Sequence, residues 1–202
     1  MKEDLKFGTS GVRGRVVDFT FANCRSYALG FVELLRKQYP AVTEIFMARD
    51  LRLSSPEIQS HFAKSFEESG YKVISLGWVP TPALAYYAQS RQAASVMVTG
   101  SHIPADRNGV KFYTPDGEIT KDDELEIRQG FERENERLNA ASIKAIPGLE
   151  DFPNESENQL QAEEFYNQRY LKAFGPEFLA GVRVLFYQHS TVGRDLLPKI
   201  LR

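Results

Sequence analysis

Cysteine and long hydrophobic runs are both scarce in this sequence. Cys24 is the only cysteine in 202 residues, which excludes an intramolecular disulfide and any metal site built from several cysteines, and which fits a reducing cytosol. The longest apolar runs reach about six residues, whereas a membrane-spanning helix needs about 20. Charged residues rather than an apolar segment follow Met1, so no secretory signal is visible and we expect a cytoplasmic protein.

The sequence also lacks an excess of positive charge. Lys and Arg together number 25 and Asp and Glu number 27, which gives a formal net charge of −2. This balance argues against a protein that binds nucleic acid through bulk positive charge. Hydrophobic residues make up 42% and charged residues 26%, as in an ordinary globular protein. We therefore expect neither nucleic acid nor a membrane as a partner.

Helical and strand patterns alternate along the first part of the chain. Apolar residues recur every three or four positions from Phe21 to Leu35, which predicts one buried helical face. Ser55-Pro56 and Thr81-Pro82 each place a capping residue before a proline, which is typical of a helix start, and Gly70 is a typical left-handed stop. Short apolar segments predict buried strands at 44–48, 71–76, 94–98 and 110–113.

This alternation predicts the fold class. Strands that alternate with helices favour parallel strands joined by crossover helices, in a layered α/β domain with a mixed or parallel sheet. A charged helix is predicted over 120–138, and this domain is expected to span 1–145.

The composition changes after residue 145. Pro, Gly, Asn, Gln and acidic residues predict a loop over 146–164, followed by a helix through Phe165 and Phe174. We interpret 146–174 as a linker with its connecting helix. A strand over 182–187 and a helix beginning near Asp195 then predict that 175–202 is the start of a second α/β domain, since about 25 residues cannot bury a core alone.

Three loops follow the carboxyl ends of the predicted parallel strands, where ligands bind in sheets of this kind. They cover 48–55, 79–82 and 99–104. Asp50 and Arg52 in the first loop are interpreted, with Arg49, as an ion pair that braces the cleft. The Gly-rich segment 8–14 offers hydroxyls, amides and the guanidinium of Arg13, which suit an anionic phosphate.

Ser101 is the candidate nucleophile of the third loop, and it needs a base or a metal to react. Gly100-Ser101-His102 does not fit the G-x-S-x-G hydrolase pattern, and adjacent side chains on an extended segment point to opposite faces, which leaves His102 poorly placed as a base. Lys111 follows across a turn, and it could serve either as a charge clamp for phosphate or as an acid/base.

Taken together, these segments resemble the α-D-phosphohexomutases of the phosphomannomutase/phosphoglucomutase type. Gly8–Gly14, Arg49–Ser55, Pro80–Pro82, Thr99–Pro104 and Asn108–Phe112 occur in the family's order, and the resemblance covers essentially the whole chain. The serine segment with its downstream N-G-x-K-F is the most specific of them. The resemblance implies an amino-terminal part of a protein with four domains around a central cleft.

The resemblance also implies a reaction. Ser101 would carry a phosphoryl group and donate it to a hexose phosphate, which gives a hexose 1,6-bisphosphate as intermediate and activator, and the other phosphate would then return to the serine. Lys111 would be the acid/base on the sugar hydroxyl, and Arg13 would lie beside the phosphoserine. Thr9, Ser10 and His102 match positions that line this site. Small hexose phosphates are the partners that such a site implies.

Two departures from the family pattern bear on these expectations. Gly100 and Ile103 replace the alanine and asparagine that the family more often has beside the serine. The family's Mg²⁺ is held by one phosphoserine oxygen, here on Ser101, and by three aspartates of a D-G-D-x-D loop, whereas no D-x-D-x-D pattern occurs in these 202 residues. We therefore expect the remaining metal ligands to lie beyond Arg202, and the chain by itself to be inactive as a mutase.

Two alternatives stay open. One is a module that binds phosphosugars or a partner protein without catalysis. The other is a phosphoglucosamine mutase. Ser10 argues mildly against this alternative, because that branch of the family usually has aspartate at this position.

Overall fold

The computed structural model describes residues 5–8, 11–140 and 157–201. The strands in this part of the chain are Lys6–Phe7 (β1), Gly11–Arg15 (β2), Glu44–Arg49 (β3), Lys72–Ser75 (β4), Ala94–Val98 (β5), Arg107–Thr114 (β6) and Gly117–Glu118 (β7). The helices are Phe21–Gln38 (α1), Ser55–Glu68 (α2), Thr81–Gln89 (α3), Lys121–Ala140 (α4), Glu157–Phe174 (α5) and Leu196–Ile200 (α6). None of the helices described here is long and apolar enough to cross a membrane.

The strands form one mixed sheet, as the alternation of strands and helices predicts. Its order is β1-β2-β6-β5-β3-β4, with β7 beside β6. Strand β3 pairs in parallel with β4 and β5, and α2 and α3 are the crossover helices between these strands. Strand β6 runs antiparallel to β5 and β2, so the amino-terminal strands extend the sheet away from its parallel half.

Helices cover both faces of the sheet, because side chains alternate along its strands. On β3, Ile45 and Met47 face one core and Phe46 and Ala48 face the other. The first core includes buried residues of α1, α2 and α4, and the second includes residues of α3, α5 and α6. The molecule is therefore a three-layer α/β structure, and the fold class expected from the sequence is confirmed.

Two helices begin one residue earlier than their proline signals suggest. Ser55 and Thr81 are the first helical residues rather than caps, and neither Ser54 nor Pro80 makes a side-chain capping bond. The Ser55 hydroxyl donates instead to Asp50 Oδ1 at 2.6 Å, so it is already engaged by the preceding loop. The stop predicted at Gly70 is confirmed by its φ of 90°.

The prediction of a loop up to residue 164 is wrong for 157–164, which belong to α5. Gln159, Ala162 and Tyr166 are buried at helical spacing, and the last two pack in the second core with α3. Glu and Gln are good helix formers, so the polar composition that suggested a loop suits a helix with one narrow buried face. Residues 146–156 lie outside the described part of the chain.

The strand predicted over 182–187 is also wrong, since these residues pair with no other described segment. Val182, Val184, Leu185 and Tyr187 are all exposed. An apolar run becomes a strand only where a neighbouring strand supplies hydrogen-bond partners. Leu196 of α6, further on, is buried in the second core. The division of the chain at residues 145 and 174 stays a prediction.

Helices α1 and α4 approach each other closely through two glycines. A methyl group at Gly30 would overlap the carbonyl oxygen of Ile127, and one at Gly130 would overlap the Cα of Gly30. We expect Gly30→Ala to lower the free energy of unfolding by about 1–3 kcal/mol, because overpacking forces the helices apart. Urea denaturation measures this change. Gly193→Ala is the matched control, since its new methyl would meet Leu197 at an ordinary 3.4 Å; equal losses for both variants would contradict the prediction.

Cys24 is fully buried on α1, and its Sγ lies 3.5 Å from the carbonyl oxygen of Phe19. Burial raises the pKa of this thiol well above its ordinary value. Because the thiolate is the reactive form, we expect a thiol reagent to modify Cys24 only after unfolding. Mass spectrometry with and without guanidinium chloride measures the labelling, and rapid modification of the folded protein would contradict the expectation.

Candidate functional site

The candidate site lies where β3 and β5 end. These two strands are parallel neighbours, so the loops after Arg49 and Val98 leave the sheet side by side. The sequence placed Asp50, Arg52 and Ser101 in these two loops, and the structure brings the loops into contact. We refer to residues 99–106 as the serine loop.

Ser101 stands at the exposed tip of the serine loop. Its φ of 50° lies in the left-handed region, which L residues other than glycine rarely adopt. Its amide donates to the hydroxyl of Thr99 at 3.1 Å, which closes a tight local turn. Ser101 is exposed, so its hydroxyl is open to solvent.

The register of β2 and β6 places Arg13 and Lys111 on the same face of the sheet. Lys111 pairs with Gly11, and Arg13 pairs with Gly109. Directly opposed residues of neighbouring strands project to the same side. A cleft on this side is lined by Gly11, Val12, Arg13, Thr99, Ser101, Gly109, Val110 and Lys111. The three catalytic residues expected from the sequence therefore meet in one cleft.

Two glycines make this cleft possible. Each long cationic side chain has a glycine as its cross-strand partner, so no opposing side chain fills the space beside it. A methyl at Gly109 would lie 3.0 Å from the carbonyl oxygen of Thr99 and 3.3 Å from Cγ of Arg13. Half-exposed cations above a floor of backbone groups form a surface that suits a phosphate.

His102 is exposed beside Ser101, with its Nδ1 3.4 Å from the Ser101 hydroxyl oxygen. The expectation that the two side chains point to opposite faces is wrong, because it assumed an extended segment and Ser101 is left-handed. At 3.4 Å the contact is long for a hydrogen bond. The imidazole ring therefore lies beside the serine hydroxyl.

The carboxylate of Asp50 joins three segments of the site. Oδ2 accepts from the Gly100 amide at 2.8 Å and from the Thr99 hydroxyl at 3.1 Å. Oδ1 accepts from the Ser55 hydroxyl at 2.6 Å and from the Arg52 amide at 3.0 Å. The carboxylate therefore fixes the start of the serine loop to the loop after β3 and to the first turn of α2.

Arg52 completes the brace predicted from the sequence. Its Nε lies 3.5 Å from Asp50 Oδ2, and its guanidinium donates to backbone carbonyls of the serine loop, among them those of Ile103 and Pro104. The part that the sequence analysis gave Arg49 in this brace stays a prediction. Arg49 is buried, its guanidinium lies 5.4 Å from the ring centre of Trp78, and burial lowers its pKa.

Asn108 is a positioning residue whose contacts the sequence did not predict. It is fully buried, and its Nδ2 donates to the hydroxyls of Ser54 at 2.9 Å and Ser55 at 3.0 Å. Its Oδ1 accepts from the Gly109 amide at 2.8 Å. In the sequence, Asn108 is indicated only by its place in the N-G-x-K-F segment, because the serines that it contacts lie in a distant part of the sequence.

Two of the expected site residues lie outside the described part of the chain, namely Thr9 and Ser10. Arg202 lies outside it as well, and the expectation that the remaining metal ligands follow Arg202 stays a prediction. Within the described residues, no group of three or more His, Cys, Asp or Glu side chains is placed to hold a metal ion. Ile103 contributes its carbonyl oxygen to Arg52, a contact that requires no polar side chain at this position.

Comparison with known proteins agrees with this geometry. The chain is 39% identical over 198 residues to a phosphomannomutase of Sinorhizobium fredii, which covers 97% of this chain and 40% of that protein. It is 31% identical over 184 residues to a phosphoglucosamine mutase of Prochlorococcus marinus, covering 89% of this chain and 38% of that protein. The chain thus spans about 40% of the length of these curated relatives.

A solved structure shows the same fold. The phosphoglucomutase/phosphomannomutase family protein of Burkholderia thailandensis superimposes with a TM-score of 0.59 at 27% identity, over 82% of this chain and 35% of that one. Residues 4–138 match the family described as phosphoglucomutase/phosphomannomutase, alpha/beta/alpha domain I. This match includes the cleft and the serine loop, and the chain therefore belongs to the phosphoglucomutase/phosphomannomutase family.

Proposed function

We propose that these residues form the phosphoryl-carrying part of a phosphohexomutase of the phosphomannomutase/phosphoglucomutase type. The observation that supports this most directly is the cleft that Ser101 shares with Arg13 and Lys111. An exposed hydroxyl that shares a cleft with two cations suits a phosphoryl group that must be both held and released. The similarity to a phosphomannomutase supports the same reaction class.

The proposed reaction moves a phosphoryl group between the C1 and C6 hydroxyls of a hexose phosphate. The free sugar hydroxyl attacks the phosphorus carried on Ser101, so the Oγ–P bond breaks while a sugar O–P bond forms. Lys111 takes the proton of that hydroxyl, and the product is a hexose 1,6-bisphosphate. The released Ser101 Oγ takes up a proton from water, and it gives that proton back to water when it attacks in the second half. In the second half, the other phosphoryl group passes to Ser101 Oγ, and Lys111 returns a proton to the sugar oxygen that is released.

The protein's part in this transfer is positioning and charge neutralisation. The guanidinium of Arg13 and the ammonium form of Lys111 lie on one sheet face at the cleft, where they can stabilise the phosphoryl oxygens. The loop after β3 holds the serine loop from the other side through Asp50. His102 contacts the serine hydroxyl and is placed beside the carried group.

The described residues alone do not provide the ligands for the Mg²⁺ that the resemblance implies. Ser101, through its phosphoryl group, is the one expected ligand in this chain, and the described residues contain no carboxylate cluster to complete a site. No step above is therefore routed through the metal. We also propose that the 202-residue chain alone shows no hexose-phosphate isomerisation, because the three aspartates of the family's metal loop are missing from its sequence.

Phosphoglucosamine mutase is the second candidate activity, since proteins of that name are among the relatives. Both activities use the same phosphoryl-carrying serine, so the cleft described here does not separate them. Turnover of glucosamine phosphate compared with mannose and glucose phosphates decides between them. Saturable binding of sugar phosphate without phosphorylation of Ser101 would instead support the non-catalytic module.

We expect the complete natural polypeptide that contains these residues to gain one phosphoryl group on Ser101 when incubated with a hexose 1,6-bisphosphate. Intact mass and phosphopeptide mapping measure the product. Ser101→Ala should remove both the modification and mutase turnover, whereas the exposed Ser190→Ala should change neither. Full mutase activity in the Ser101→Ala protein would refute the proposed function.

We expect Lys111→Met to lower kcat for mannose 1-phosphate and glucose 1-phosphate by about 100-fold or more, the usual contribution of a general acid/base. Lys111→Arg separates the two roles considered for this residue. Arginine keeps the positive charge but does not exchange protons at neutral pH, so an acid/base role predicts that its kcat stays low. Recovery of kcat in Lys111→Arg would show a charge clamp instead. Lys72→Met, at an exposed position of strand β4, is the matched control.

A further inference from the structure

The guanidinium of Arg52 spans the far side of the serine loop. Nη1 donates to the carbonyl oxygens of Pro104 at 2.7 Å and Arg107 at 3.1 Å, and Nη2 donates to those of Ile103 at 2.5 Å and Ser101 at 3.3 Å. Four carbonyls along one short turn thus face a single planar cation. Arginine suits this arrangement because its donors are fixed in one plane.

Gly100 leaves the space that this guanidinium occupies. A methyl group built at Gly100 would come within 3.0 Å of three atoms of Arg52, namely Nε, Cζ and Nη2, and these are the nearest atoms it would meet. The φ of Gly100 is not in the positive region, so its backbone conformation suits alanine as well as glycine. A side chain at position 100 would therefore displace the Arg52 guanidinium from its present place, although the backbone itself would accept alanine.

Ser101 needs support of this kind. A left-handed conformation is unfavourable for serine, and it persists only where surrounding contacts impose it. Asp50 fixes the residues before Ser101 through Thr99 and Gly100, and Arg52 fixes those after it. The Asp50–Arg52 ion pair joins the two halves of this support.

We infer that Arg52 and Gly100 act as one unit that positions the phosphoryl-carrying serine, with the guanidinium in the space left by the missing side chain. This inference rests on the proposed function of Ser101. Arg52 is a positioning residue: its donors are engaged by backbone carbonyls, and it acts on the reaction through the geometry of Ser101.

A double-mutant cycle tests the unit. The variants are Gly100→Ala, Arg52→Met and the double variant, with Gly193→Ala and the exposed Arg128→Met as matched controls for each type of change. Gly100→Ala removes no hydrogen-bonding group, and the three atoms that its new methyl would meet most closely all belong to Arg52. Circular dichroism verifies that each variant is folded before the measurements begin.

The first measurement is amide hydrogen exchange in the complete natural polypeptide without substrate. The amides of Ile103 and Arg107 report on the loop, since they donate to the carbonyls of Gly100 and Pro104. We expect each single variant to speed their exchange, and the double variant to match Arg52→Met within about twofold, the usual error of additivity. Unchanged amide exchange in Gly100→Ala would refute the inference that Arg52 and Gly100 act as one unit. So would an increase in exchange rate in the double variant that equals the product of the increases in the two single variants.

The second measurement is mutase kinetics in the same variants. We expect kcat to fall at least about tenfold in Arg52→Met and Gly100→Ala with KM nearly unchanged, because a small displacement of a reacting group lowers the rate more than it weakens binding. Arg52→Lys should not restore kcat, since an ammonium does not span four carbonyls. Full recovery with lysine, a rise in KM alone, or unchanged kinetics would overturn the positioning role.

The two proposals fail in distinguishable ways. An active Ser101→Ala protein would refute the serine as phosphoryl carrier, and with it the positioning role, whereas the exchange data would still decide whether Arg52 and Gly100 are coupled. Loss of phosphorylation in Ser101→Ala, together with unchanged loop exchange in Gly100→Ala, would instead support the carrier and refute the unit.

Discussion

The geometry of the site depends on how the carboxylate of Asp50 is shared. Its two oxygens accept hydrogen bonds from the serine loop, from the loop after β3 and from the first turn of α2. Hydrogen bonds to a charged acceptor are stronger than those between neutral groups. This carboxylate and its ion pair with Arg52 are therefore the interactions that hold the serine loop at the cleft that Ser101 shares with Arg13 and Lys111.

The cations of the cleft depend on a different part of the fold. Arg13 and Lys111 stand on antiparallel strands, where register rather than loop structure decides which side chains are neighbours. Gly11 and Gly109 provide the space between them. The site thus combines an exposed serine on a braced loop with fixed charges on a sheet. Rigid strands are well suited to such charges, since they keep the distance between them constant.

Much of the fold follows from local patterns in the sequence. Helix α1, the parallel strands and the stop at Gly70 were predicted because periodicity and glycine act over a few residues. Arg13, Ser101 and Lys111 were named from motifs, and the sheet register explains why Arg13 and Lys111 are neighbours. The side-chain contact of Ser101 with His102 was not predicted, because it depends on a left-handed backbone that the surrounding loop imposes.

The remaining errors have the same physical origin. Helix α5 begins at Glu157 because a narrow apolar face packs in a core that the local composition does not reveal. The segment at 182–187 has the composition of a strand, yet it lacks a partner among the described residues. The contacts of Asn108 and Asp50 join residues that are distant in sequence, so no short window of residues contains both partners.

The antiparallel pairing of β2 with β6 has a consequence for how this molecule folds. One strand comes from the beginning of the matched domain and the other follows the last parallel strand, so the chain between them must close a long loop before the two cations become neighbours. Contacts of high sequence separation form slowly, since the entropy of loop closure opposes them. The cationic surface of Arg13 and Lys111 therefore forms only once this long-range pairing is made, and it is absent from chains in which β2 and β6 have not yet met.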